Sequence, residues 1–209
     1  MPIQLEGGII KLATAYLIRH GETDFSQMNI AQGQMDVPIN DIGIQTAKKI
    51  GDYIADNILV DKVFKSDLLR CKQTCEILVS KLSNSIDCVT STDLREISLG
   101  TFEGQPMEKL NFFRYNSGNY NSFIPEGGES FEHLTTRVEN WFFSNFHNLD
   151  NALIITHRGP ISVIVEGALN CSEFKVNDIL KQGNIIQLRL DSNEKYWIEK
   201  IIEVVKRYD

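Results

Sequence analysis

Four cysteines, five prolines, two tryptophans and four histidines are few for a chain of 209 residues. No C-x-x-C occurs, and Cys88 and Cys171 add no ligand spacing, so a metal knuckle or redox pair has little support. Cys71 and Cys75, four apart on one helix face, read as buried small apolar residues. Positive charge is also short. With 21 Lys and Arg against 28 Asp and Glu, the net charge is −7, which argues against wholesale nucleic-acid binding. No apolar run is long enough to span a bilayer. Met1 to Leu12 lack the charged start and continuous apolar middle of a signal peptide. The expected location is therefore the cytoplasm, with no membrane or nucleic-acid partner. No G-x-x-x-x-G-K-[ST] occurs, which disfavours a P-loop enzyme. Without repeats, low-complexity tracts or a linker, the length fits one domain, 1–209.

The apolar segments alternate between strand and helix character. Ala15 to Ile18 suit a buried parallel strand. A loop follows from Asp24 to Ile39, and Asn40 suits a helix N-cap. Ala47, Ile50, Gly51, Ile54 and Ile58 then recur at helical spacing. Lys62 to Lys65 is a short strand, and Ser66 or Asp67 would cap a helix with Leu68, Cys71, Cys75 and Leu78 on one face. Ile86 to Thr90 is a third strand, and Asp93 to Gly104 a loop. Residues 105–128 read as a short lid insertion, one short helix and a loop. Ser130 starts a long amphipathic helix through Phe131, Leu134, Val138, Trp141 and Phe142. Ala152 to Thr156 is an apolar strand and Ile161 to Leu169 a buried helix. Ile185 to Leu190 and Tyr196 to Val205 pair as a hairpin across Asp191 to Lys195. Residues 1–13 are an N-terminal arm or a short strand. The expected fold is α/β, with a mostly parallel sheet and a late antiparallel edge.

The two most apolar strands each end in a histidine beside an arginine: Arg19-His20 and His157-Arg158. Open α/β sheets bind ligands at the carboxyl edge of their strands. Arg70, about one turn into the helix after a strand, and Glu96, in the loop after the third strand, can reach the same edge. Arginines offer a rigid charged fork for phosphate oxygens. A neutral imidazole is a competent nucleophile near neutral pH. A carboxyl group can protonate a leaving oxygen. A second histidine across the phosphate can donate hydrogen bonds as charge spreads. His20, His157 and Glu96 could instead hold a metal, but two adjacent arginines would repel it.

In this combination the chain resembles the histidine phosphatase superfamily, which includes the cofactor-dependent phosphoglycerate mutases. The likeness runs through RHGET at Arg19 to Thr23, Gln32-Gly33 before Asp36-x-Pro38, and Gly43-x-Gln45-x-Ala47. It continues through Ser66-x-x-x-Arg70-x-x-x-Thr74, Leu94-Arg-Glu96-x-x-x-Gly100-x-x-Glu103-Gly104, Pro125-x-Gly-Gly-Glu129-Ser130 and Thr156-His157. The resemblance implies a three-layer α/β/α sandwich, with His20 as nucleophile and Arg19, Arg70 and His157 as the phosphate pocket. It implies Glu96 as general acid and then base, substrate contacts at Gln32 and Gly33, and no metal or dissociable cofactor.

Two positions depart from the family pattern and join the expected substrate-binding set. Ser26 stands where relatives often have Asn. Arg158 stands where glycine is common, and either adds a cation beside the pocket or points away. Mutases of this kind carry a longer, arginine-rich insertion after the acid loop. Here residues 105–124 are short and hold only Arg114 as an arginine, which favours hydrolysis. Phe112, Phe113, Tyr115 and Tyr120 either cover the site or pack. The expected activity is hydrolysis of a small phosphorylated metabolite through a phosphohistidine on His20. A mutase-type phosphotransferase is the first alternative and a non-catalytic phospho-ligand module the second. A homodimer is left open.

Overall fold

The computed structural model describes residues 4–5, 8–9, 12–119, 121–168 and 180–205. Tyr120, Leu169, Cys171 and parts of the N-terminal arm lie outside the described residues. Eight strands are described: β1 (Gln4–Leu5), β2 (Gly8–Ile9), β3 (Ala13–Arg19), β4 (Lys62–Ser66), β5 (Asp87–Ser91), β6 (Ala152–Thr156), β7 (Asn184–Leu190) and β8 (Tyr196–Glu203). With them run α1 (Asp24–Gln27), α2 (Asp41–Asn57), α3 (Leu69–Val79), α4 (Met107–Asn116), α5 (Phe131–Asn145) and α6 (Arg158–Ala168). β1 and β2 pair antiparallel to each other. The other six form one sheet in the order β5-β4-β6-β3-β7-β8. β5, β4, β6 and β3 run parallel, and the hairpin β7-β8 closes the far edge antiparallel to β3.

Strand residues point alternately to opposite faces, and here both faces are covered. Ala15, Leu17, Phe64, Ala152, Ile154, Ile186 and Leu188 join one core, with Leu134, Val138, Trp141 and Phe142 of α5 and Ile161, Ile164 and Val165 of α6. Ile18, Val63, Leu153, Ile155 and Ile185 join the other, with Ile50 and Ile54 of α2 and Cys71, Cys75 and Leu78 of α3. The result is the three-layer α/β/α sandwich. No helix among the described residues is long and apolar enough to cross a membrane.

Local signals locate most helix starts. Asn40 Oδ1 accepts the Gly43 N–H at 2.9 Å and Ser130 Oγ the His133 N–H at 3.1 Å, each satisfying a donor that helix geometry leaves open. The start of α3 differs from expectation. Leu68 occupies its N-cap position without a side-chain cap bond. The Leu69 N–H donates to Asp36 Oδ1 at 2.9 Å, while Asp67 pairs with Arg95. The cap therefore comes from a distant loop. Arg70 is consequently in the first turn of α3 rather than a turn inside it. The loop after β3 also contains a short helix, α1, absent from the sequence reading.

Candidate active site

Register places the two histidines. Arg19 at the end of β3 lies opposite Thr156 at the end of β6, so the residues that follow emerge side by side. The His20 N–H extends the ladder to the Thr156 carbonyl at 3.0 Å, and the two rings lie 5.1 Å apart, centroid to centroid. His20 is 2% exposed and His157 fully buried. His20 Nδ1 is 2.7 Å from the Gly21 carbonyl. A carbonyl only accepts, so the proton sits on Nδ1 and the lone pair on Nε2. Burial, then Arg70 and Arg19, hold the His20 pKa well below 6.5, which keeps the ring neutral.

Arg70 is fully buried. Its Nη1 donates to the Met35 carbonyl and its Nη2 to the Gly33 carbonyl, both at 2.8 Å. Its Nε donates to His157 Nδ1 at 3.2 Å. Since Arg70 only donates, His157 accepts at Nδ1 and carries its proton on Nε2, 3.4 Å from Cys71 Sγ. Burial first, then Arg70, depress the His157 pKa as well. Both histidines thus lie neutral against a cation. In this arrangement His157 is an acceptor toward Arg70, so donation from Nδ1 to a phosphate requires it to take up a proton. Arg19 Nη1 donates to the Leu180 carbonyl at 3.3 Å. Cys71 is buried, and its thiol pKa is pushed strongly up by desolvation.

Glu96 sits at the start of α6. Its Oε1 accepts the Ile97 N–H at 2.9 Å and the Gly159 N–H at 3.1 Å. A helix N-terminus suits a carboxylate. The approach depends on Gly159, because a Cβ there would lie 2.3 Å from Glu96 Oε1. Behind the acid loop, Arg137 of α5 donates to the Asp93 carbonyl at 2.7 Å and the Glu96 carbonyl at 3.0 Å. Arg137 pairs with Glu129 at 2.6 Å, and Glu129 Oε1 accepts the Ser98 N–H at 2.9 Å. Sequence reasoning quoted Glu129 within a motif without giving it a role, and passed over Arg137.

All five expected core residues, Arg19, His20, Arg70, Glu96 and His157, come together at this edge. Arg19, His20, Arg70 and Glu96 line a cavity of about 1340 Å³, while His157 sits beneath it, against Arg70 and His20. The expected substrate-binding residues line the same cavity but differ in kind. The Ser26 hydroxyl donates to the Thr23 carbonyl at 2.8 Å and accepts the Thr23 N–H at 2.9 Å. The bond it accepts completes the capping box of α1, and the one it donates ties the same turn. Gly33 turns its carbonyl to Arg70. Gln32 Oε1 is buried without a hydrogen-bond partner. Arg158 is exposed at the rim, so it places a cation beside the pocket. From α4 the cavity is lined by Met107, Leu110, Asn111 and Arg114. Phe113 packs its ring on Phe102, centroids 5.4 Å apart, and Phe112 meets Phe113 edge to face, while Tyr115 is 85% exposed; none of the three lines the cavity. Glu22 and Glu166 also line the cavity; sequence reasoning quoted Glu22 within RHGET without giving it a role and passed over Glu166. Among the described residues no three His, Cys, Asp or Glu side chains are placed to hold a metal ion.

Several known proteins are similar to this chain. A fructose-2,6-bisphosphatase TIGAR of Xenopus tropicalis is 35% identical over 130 residues, 60% of this chain and 47% of that protein. The chain thus matches about half the length of that relative. A broad-specificity phosphatase of Saccharomyces cerevisiae is 31% identical over 167 residues, 77% of this chain and 71% of the relative. The fold is similar to that of a phosphoglycerate mutase from Bacillus anthracis, with a TM-score of 0.74, 18% identity, and coverage of 91% of this chain and 92% of that one. The histidine phosphatase superfamily, branch 1, matches residues 15–201, and this chain belongs to it.

Proposed function

We propose that the chain is a phosphomonoesterase that hydrolyses a small phosphorylated metabolite through a phosphohistidine on His20. The observation that carries this reading is the neutral, buried His20, with its Nδ1 proton held by Gly21 and its Nε2 lone pair free. A phosphoryl dianion enters between Arg19 and Arg70, whose remaining N–H groups bind its oxygens. Nε2 attacks phosphorus as the bond to the leaving oxygen breaks. Glu96, protonated for this step, delivers its proton to that oxygen. Glu96 as carboxylate then takes a proton from water, which attacks phosphorus and breaks the P–N bond, releasing phosphate. His157, which accepts the Arg70 Nε–H at Nδ1, holds that guanidinium beneath the transferring group as its charge spreads.

In this reading 1–209 acts as one domain, with 105–128 as its lid. Two observations favour hydrolysis over phosphate shuttling. Arg114 is the only arginine in residues 105–124, and the cavity is large for a small phosphate ester. The phosphatase activities named for the TIGAR and yeast relatives support the same choice.

The test is turnover of para-nitrophenyl phosphate with acid-labile phosphate trapped on the protein. His20→Ala is expected to abolish both turnover and label, and a chelator to change neither. Label that persists in His20→Ala overturns the assignment of the nucleophile. A high mutase rate on 3-phosphoglycerate with a bisphosphoglycerate primer overturns the choice of hydrolysis.

A further inference from the structure

We propose that Thr74 is a positioning residue for the nucleophile, fixing the Gly21 segment that orients His20. This rests on His20 being the nucleophile. The attack needs Nε2 unprotonated and aimed, and among the described residues the ring's one hydrogen bond runs from Nδ1–H to the Gly21 carbonyl. The orientation of His20 is therefore only as fixed as Gly21. Two contacts clamp that residue. On one side the Gly21 N–H donates to Thr74 Oγ1 at 3.0 Å, joining the turn after β3 to α3. On the other, the backbone packs so closely on Gly43 of α2 that a Cβ on Gly21 would lie 2.8 Å from the Gly43 carbonyl oxygen.

The direction of the bonds is determined. Thr74 Oγ1 donates its single hydrogen to the Arg70 carbonyl at 2.7 Å, so toward Gly21 it can only accept. A helical threonine bonded back to the preceding turn ordinarily leaves its lone pairs idle. Here they receive the nucleophile's turn. Thr74 is 1% exposed, so no bulk water stands ready to replace it. The same hydroxyl ties together the turn that carries His20 and the helix turn that carries Arg70, the attacking atom and one of the phosphate-binding groups. Valine at this position would keep the shape and remove both bonds, leaving the buried Gly21 N–H unsatisfied. Gly21, held then on the Gly43 side alone, would let the carbonyl and the imidazole drift.

The experiment compares Thr74→Val with Thr74→Ser in the full chain. It reads kcat/KM on para-nitrophenyl phosphate, thermal unfolding, and the His20 Nδ1–H signal in proton NMR. Thr74→Val is expected to lose the slowly exchanging Nδ1–H signal and roughly 10- to 100-fold in kcat/KM, the cost of a small misplacement of a reacting group. Thr74→Ser is expected to keep both. A folded Thr74→Val that retains signal and turnover overturns the proposal, as does a lowered melting temperature with both unchanged per folded molecule. If Thr74→Val does not fold, Thr74→Ala is read against the same criteria. The NMR signal does not depend on catalysis. A wild-type protein without turnover, whose signal still depends on the Thr74 hydroxyl, would refute the phosphatase reading and leave the positioning role standing.

Discussion

At the scale of single residues, the site depends as much on missing atoms as on present ones. Gly159 donates its N–H to Glu96 and leaves room for the carboxylate. Gly159→Ala puts a Cβ where Glu96 Oε1 now lies, so the acid must retreat. The expected loss in kcat/KM is roughly 10²–10³-fold for alkyl phosphates, whose leaving oxygen needs the proton, and clearly smaller for para-nitrophenyl phosphate. Steady-state rates on the two substrates check this, and equal losses would place the damage in phosphate binding instead. His20 and His157 were legible in the sequence because each ends an apolar strand, and strand ends are where sheet ligands bind. The roles of Thr74, quoted only within a motif, and of Arg137 were not, because the partners concerned lie 53 and 41 residues away. The bonds of Ser26 were hidden for a related reason. Its hydroxyl caps α1 by accepting the Thr23 N–H and donates to the Thr23 carbonyl, bonds that appear only once the turn is folded.

At the scale of elements, the acid loop is held from behind. Arg137 of α5 binds two of its carbonyls while Glu129 binds the Ser98 N–H, and the ion pair is largely sheltered, with side chains 20% and 16% exposed. Arg137→Met strands those acceptors. It is expected to cost about 1–3 kcal/mol of stability and to lower kcat more than substrate binding, because Glu96 loses its backing while Arg19 and Arg70 keep theirs. Urea unfolding and steady-state kinetics measure the two effects. Adding Glu129→Gln should cost less than its single effect, since contacting groups are not additive. The fold itself was readable from alternation, because β3 and β6 send successive residues into opposite cores and so announce helices on both faces. The strand order was not. Nothing local in Ala152 to Thr156 says that a late strand inserts between β4 and β3, yet that insertion is what brings His157 beside His20. The cap of α3 was hidden likewise, supplied by Asp36 from another loop.

At the scale of the whole molecule, an acidic protein of net charge −7 keeps two uncharged histidines beside arginines at the carboxyl edge of its sheet. That choice ties stability to pH. Burial, then Arg70, lowers the pKa of both His20 and His157 well below 6.5. Below that ordinary value the unfolded chain binds protons that the folded chain refuses. The stabilisation is therefore complete above pH 6.5 and is lost as pH falls through 6.5 toward the folded values. Each histidine contributes a slope of about 1.4 kcal/mol per pH unit within that window. Urea unfolding near pH 7.5 and near pH 5.5 should show the wild type losing stability on acidification, with His20→Asn and His157→Asn each shallower. A wild-type stability that does not fall between these values contradicts buried neutral rings.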